Sequence, residues 1–181
     1  MHVLSTDRLD LRRLTIDDAP FVLQLVNDPA WLEHIGDKGV RTLEGARNYI
    51  RNGPLCMYER LGFGLYLVEL RRPGAGARVD DRRAPGAVSI GLCGLIKRDA
   101  LPDVDIGYAF LPDFRGRGYA HEAALAVLEY GHRTLGMRRI VAITTAGNAS
   151  SIRLLEKVGM RLQGELELSP GDPVRLYARD F

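Results

Sequence analysis

The sequence is short of cysteine, of net charge and of long apolar runs, and each shortage removes a class of function. Its 181 residues include two cysteines, Cys56 and Cys93. Their separation suits neither a zinc pattern nor a redox pair, and a chain this long needs no disulfide staple. A reduced, cytoplasmic setting without a metal is the expectation. Lys and Arg total 25 against 23 Asp and Glu, for a formal net charge of +2. No global field therefore draws the chain to nucleic acid or to a membrane, and any anion site has to be local. Near the N-terminus Asp7, Arg8, Asp10 and Arg12 interrupt the apolar residues, a pattern that fits neither a signal peptide nor a membrane span. No internal repeat or low-complexity tract is visible.

What is present reads as one ordinary globular domain over residues 1–181, with 46% hydrophobic and 27% charged residues. Leu9, Leu11 and Leu14 alternate with charges over residues 8–14 and predict a half-buried strand. Thr15 with Asp18 forms a capping-box pattern, and Phe21, Val22, Leu25 and Val26 supply a helical stripe that Asp28-Pro29 should stop. Residues 31–40 lack periodicity and read as a loop. Residues 42–51 predict a helix with Leu43, Ala46, Tyr49 and Ile50 on its apolar face, closed by Asn52-Gly53-Pro54. Strands are predicted over 63–70 and 88–96, joined by a long loop over 71–86. The arginines of that loop could form a nucleic-acid arm, but Asp80 and Asp81 interrupt them and no aromatic is interleaved, so a solvated loop is preferred. A strand over 103–111 leads through glycines into a helix bearing Ala120, Ala124, Val127, Leu128 and Leu135. A strand over 139–144, a short helix over 150–158 ended by Gly159, and strands over 161–168 and 174–181 complete the chain.

The chemistry concentrates at Arg115-Gly116-Arg117-Gly118-Tyr119-Ala120, where the strand gives way to the long helix. A helix start offers unpaired N–H groups, two glycines let the backbone approach an anion, and Arg115 and Arg117 add charge, so a pyrophosphate is the natural occupant. A tight turn with its arginines in water is the plainer reading of Gly-x-Gly alone. No Lys-Ser or Lys-Thr follows a five-residue glycine loop, and His121 stands where the dinucleotide fingerprint needs its third glycine.

Arg115, Gly118 and Ala120 follow a pattern of Arg or Gln, two residues, Gly, one residue, then Gly or Ala. With Asp105-Ile106-Gly107-Tyr108, Pro112, Glu122-Ala123, and the second motif of Asn148, Ser151 and residues 154–160, the chain resembles the GCN5-related N-acetyltransferase superfamily, in particular its ribosomal-protein N-terminal acetyltransferase branch. The likeness runs from Leu9 to Phe181, residues 71–86 excepted. It implies an α/β (α+β) fold with a mixed, mostly antiparallel central sheet, splayed at its fourth strand and flanked by helices. It also implies acetyl-CoA as co-substrate. The pyrophosphate would rest on Arg115, Gly116, Arg117, Gly118, Tyr119 and Ala120, the pantetheine arm would pair with main chain at Phe110 and Leu111, and Asn148 would contact the cofactor further along. Pantetheine carries amides, so strand-like pairing is chemically sensible.

Acetyl transfer to an amine requires an uncharged nucleophile, a donor for the developing oxyanion and a proton for the departing thiolate. An N–H freed near Phe110 by strand separation could serve the oxyanion. Asp105 holds the family's acidic position and is the candidate base, its alternative being a carboxylate solvated or paired with an Arg. Many members carry a tyrosine acid seven residues beyond the Asn, and here that position is Leu155. Ser151 then becomes the candidate acid, or else, with Ser150, a helix cap. Tyr108 and Tyr119 are further donors or packing residues. Cys93 reads as a packing residue in an apolar strand, and His121 and His132 as surface residues. Trp31, Glu33, His34 and Asp37 are where this fold shapes its acceptor pocket.

The acceptor is a small-molecule amine or a peptide N-terminus, with monomer and homodimer both open. Two other readings remain: an acyl-CoA sensor without turnover, suggested by Leu155, and an unrelated nucleotide-binding α/β protein built on the glycine turn.

Overall fold

The computed structural model describes residues 1–71 and 87–181. The loop read over 71–86 lies, beyond Arg71, outside the described residues. Eight strands form one sheet in the order β1-β2-β3-β4-β5-β6-β8-β7. They are β1 (His2–Ser5), β2 (Leu9–Arg13), β3 (Leu65–Leu70), β4 (Val88–Ile96), β5 (Asp105–Phe110), β6 (Arg139–Thr144), β7 (Arg161–Glu167) and β8 (Pro173–Asp180). Every pairing is antiparallel except that of β5 with β6. This matches the expected class with one difference: β1, too short to show periodicity, makes the splayed strand the fifth rather than the fourth.

The helices divide between the two faces. One face packs α5 (Tyr119–Arg133) and α6 (Ala149–Lys157) through Val127, Leu128 and Leu155 against Tyr66, Cys93 and Ile106. The other packs α1 (Ala19–Val26), α2 (Pro29–His34) and α3 (Leu43–Ile50) through Val22, Trp31 and Ile50 against Leu67 and Leu92. Alternation along β3 and β4 explains why neighbours such as Tyr66 and Leu67 serve different cores. Leu155, where many family members carry tyrosine, is buried in the first core. Cys93 is buried there too, and burial raises its thiol pKa, so it is a packing residue.

Three local expectations need correction. Asp28-Pro29 begins a helix as well as ending one: Asp28 caps α2 by accepting from the Ala30 amide at 3.1 Å, and Pro29 takes the first helical position, where a missing N–H costs nothing. Asn52-Gly53-Pro54 does not close α3. The chain widens into a π turn over Arg51–Leu55 and continues as α4 (Cys56–Leu61), which ends at Gly62 with φ 79°. His132 is half-buried rather than on the surface, stacked on Phe181 with ring centroids 4.5 Å apart.

Candidate active site

The site begins where the sheet opens. β5 and β6 pair only at Asp105 and Val141, supported by the Val141 amide donating to Val104 O at 2.9 Å, while the rest of β6 pairs with β8. Beyond that point β5 loses its neighbour. The Leu111 amide donates to Ile90 O at 2.9 Å, and antiparallel bonds alternate, so Ala109 also bonds toward β4 while Tyr108 and Phe110 turn their main-chain groups into the gap. Leu111 itself is committed at both ends, because its carbonyl accepts from Phe114 N at 3.0 Å. The gap leads into a cleft of about 1210 Å³, room enough for more than one ordinary ligand.

The glycine turn forms one end of this cleft. Gly116 and Gly118 have φ of 71° and 81°, the left-handed region that glycine enters without strain. The first bond of α5 is Glu122 N to Gly118 O at 3.0 Å, so the amides of Tyr119, Ala120 and His121 precede the helical ladder. Gly116, Gly118, Tyr119, Ala120 and His121 all line the cleft, whereas Arg117 and Leu111 do not. A side chain at Gly116 would meet nothing within 4 Å, so the main chain there is open to a ligand.

The arginines of the turn also have partners within the protein. Arg115 donates from Nε to Phe110 O at 2.8 Å and pairs with Asp28, fastening the turn to the end of β5 and to the cap of α2. Arg117 offers its carbonyl to Arg8 Nη1 at 3.0 Å. Arg8, on the connection between β1 and β2, also donates to Glu122 through its amide and Nε, and its guanidinium lies 4.6 Å from the Tyr119 ring centre. Against the cost of burial, the bonds from Thr6 and Arg8 hold Glu122 below the usual carboxylate range. Sequence reasoning missed this clamp because its halves lie far apart in the chain.

The two faces of β5 carry different chemistry. Toward α6, the Tyr108 hydroxyl lies 2.7 Å from Ser151 Oγ, spanning the gap. Ser151 is placed by Asn148, whose Oδ1 accepts from the Ser151 amide at 3.1 Å and from Ser150 Oγ at 2.9 Å. Asn148 is thus the cap of α6, and it lines the cleft. Burial raises the Tyr108 pKa, partly offset by the bond to Ser151, so the phenol stays protonated and able to donate.

On the opposite face Asp105 is 1% exposed. Its Oδ2 accepts from Arg98 Nε at 3.0 Å, while Oδ1 is buried without a hydrogen-bond partner among the described residues. Burial raises its pKa against the opposing charge and hydrogen bond of Arg98. Trp31, Glu33 and His34 line the cleft on this side, but Asp37 is turned away and bound by Arg41. The indole Nε1 of Trp31 is buried without a partner among the described residues.

Similarity to known proteins follows this geometry. The model of the acetyltransferase (GNAT) domain matches residues 8–161. The uncharacterized N-acetyltransferase YoaA of Bacillus subtilis (strain 168) is 29% identical over 164 residues, covering 91% of this chain and 85% of the relative. Among solved structures, a GNAT-family acetyltransferase from Bacillus anthracis superposes with a TM-score of 0.75 at 26% identity, covering 99% and 98% of the two chains. The ribosomal L7/L12 alpha-N-protein acetyltransferase RimL, solved in complex with coenzyme A, superposes with a TM-score of 0.79 at 20% identity over 100% and 98%. With the sheet opened at β5, the glycine turn before α5 and a family match covering both, the chain belongs to the GNAT acetyltransferases and is an N-acetyltransferase.

Proposed function

We propose that this enzyme transfers an acetyl group from acetyl-CoA to a primary amine by direct attack within the cleft, both substrates being bound together. One observation carries the reading: the unladdered amides of Tyr119, Ala120 and His121 open onto the same cleft as the unpaired edge of β5. A diphosphate suits the first and an amide-bearing arm suits the second. The main-chain groups left for that arm are those of Tyr108 and the Phe110 amide, since Leu111 is bonded at both ends and Phe110 O already accepts from Arg115.

The bound thioester supplies an acyl carbon with a leaving thiolate. The chain's own residues do the rest. The Phe110 amide is free to donate to the carbonyl oxygen as it gains charge. Asp105 Oδ1 is free to take a proton from the attacking amine, directly or through a water. Ser151, in contact with the Tyr108 hydroxyl, would return a proton to the thiolate. The new N–C bond forms as the C–S bond breaks, and the proton lost by nitrogen balances the one gained by sulfur. The acceptor is a small-molecule amine or a peptide N-terminus, and a cytoplasmic location suits the free thiols. Among the described residues no helix is long and apolar enough to cross a membrane.

Calorimetry with acetyl-CoA and a thiol-release assay over amines and N-terminal peptides test the reading. Gly118→Glu places a carboxylate in the turn, where even a Cβ would lie 3.3 Å from Arg8 Nη2. It should weaken acetyl-CoA binding by at least about tenfold while the circular dichroism spectrum is retained. Unchanged affinity would move the diphosphate elsewhere, and the absence of turnover on every amine would leave only binding.

A further inference from the structure

The acceptor side of the cleft contains more hydrogen-bond donors than the chain itself uses. Asp105 faces the α1–α3 side of the sheet, as alternation along β5 from Ala109 in that core requires. Its Nε bond leaves the terminal nitrogens of Arg98 without a hydrogen bond or ion pair among the described residues. Lys38, between α2 and α3, lines the same cleft and has no carboxylate partner among the described residues, its one contact being Ile35 O at 3.5 Å. Tyr49, on α3, also lines the cleft, and its hydroxyl makes no hydrogen bond among the described residues. Partial desolvation and the charge of Arg98 together pull the Lys38 pKa down, while burial raises that of Tyr49 against the same charge. Arg98 is therefore felt by both groups. Opposite these donors stands a buried acceptor without a hydrogen-bond partner among the described residues, Asp105 Oδ1, with the exposed carboxylate of Glu33 at the cleft's lining beyond it.

We infer that the preferred acceptor is an amine whose own molecule carries a carboxylate close to the reacting nitrogen. The inference rests on the transferase reading above. Its amine lies toward the Asp105 carboxylate, and its carboxylate oxygens meet the outer nitrogens of Arg98 with Lys38 and Tyr49 beside them. An Arg–Asp pair held 3.0 Å apart presents a donor fork next to a proton acceptor, the complement of an anion next to an amine. A polyamine brings only further positive charge to Lys38 and Arg98, which like-charge repulsion disfavours.

The test measures kcat/KM for a set of free α-amino acids and ω-amino acids, each alongside its primary amide, with wild-type enzyme and Lys38→Ala. The acids should be used at least about tenfold better than the amides. Lys38→Ala should lower kcat/KM on the acids by about tenfold while leaving the amides and the acetyl-CoA affinity unchanged. Lys38→Glu should lower the acids further. Amides used as well as acids, or an acid preference that survives Lys38→Ala, would overturn the inference. So would turnover confined to polyamines or to amines without an anion, which leaves the transferase reading intact. Failure to acetylate any amine would remove the transferase reading itself.

Discussion

Arg8 and Glu122 join the turn between β1 and β2 to the first turn of α5, with Arg8 Nε 2.6 Å from Glu122 Oε2. The carboxylate stands at a helix N-terminus, where the helix dipole favours it, and the same arginine reaches the carbonyl of Arg117 inside the glycine turn. One residue from the first hairpin thus holds the turn and the helix start in register. Arg8→Ala should raise the dissociation constant of acetyl-CoA by about tenfold, with a smaller effect on kcat, and Arg8→Lys should recover part of the loss. Calorimetry gives the constants. Affinity unchanged in both variants would mean the turn keeps its shape unaided.

The parts of this site that were legible in the sequence are those whose geometry is local. Gly116, Gly118 and the alanine-rich face behind them define a turn and a helix start within a few residues. Thr15 with Asp18 closes the predicted box, the Thr15 amide donating to Asp18 at 2.8 Å. What was illegible depends on distant partners. Arg8 and Glu122 are 114 residues apart, and Arg98 shows nothing in sequence of its bond to Asp105. Arg115 carries a family motif, yet its side chain serves Asp28 across the cleft. The helix at Pro29–His34 escaped because Asp28-Pro29 supports a stop and a start equally well, and only the packing of Trp31 decides.

Tyr108 and Ser151 share one hydrogen bond across the gap, and the identity of the thiolate's proton donor is separable by substitution. If Ser151 is the immediate donor, Ser151→Ala should lower kcat by roughly a hundredfold, within the span usual for general acids. Tyr108→Phe, which leaves the serine hydroxyl in place, should then cost about tenfold. The acetyl-CoA dissociation constant should move little in either. A larger loss in Tyr108→Phe would assign the donor to the phenol and leave Ser151 to orient it.

Beside β5, the β3–β4 ladder leaves no room for a side chain at Gly94. A Cβ at Gly94 would lie 2.2 Å from Gly64 O, a backbone atom that also accepts from the Leu95 amide at 3.1 Å. Neither element can yield without breaking the β3–β4 ladder. Gly94→Ala should therefore destabilise the fold by roughly 2–3 kcal/mol, the range of overpacked cores, read from the urea midpoint at constant m. A midpoint within error of wild type would show that the two strands can separate at little cost.

If Asp105 is the base, the reaction should carry its pH signature. Burial lifts its pKa above the usual carboxylate value even against Arg98, and a base must be unprotonated to accept the amine's proton. Activity should therefore fall as pH drops through that raised pKa, giving an acidic limb distinct from the higher limb set by the acceptor amine itself. Asp105→Asn removes the titrating group but keeps the shape and a hydrogen-bonding oxygen. It should lower kcat by roughly a hundredfold, abolish the lower limb and preserve the upper one, with acetyl-CoA affinity retained. Should the variant keep both limbs and most of its rate, the carboxylate would serve only to anchor Arg98, and the amine would have to reach the cleft already neutral.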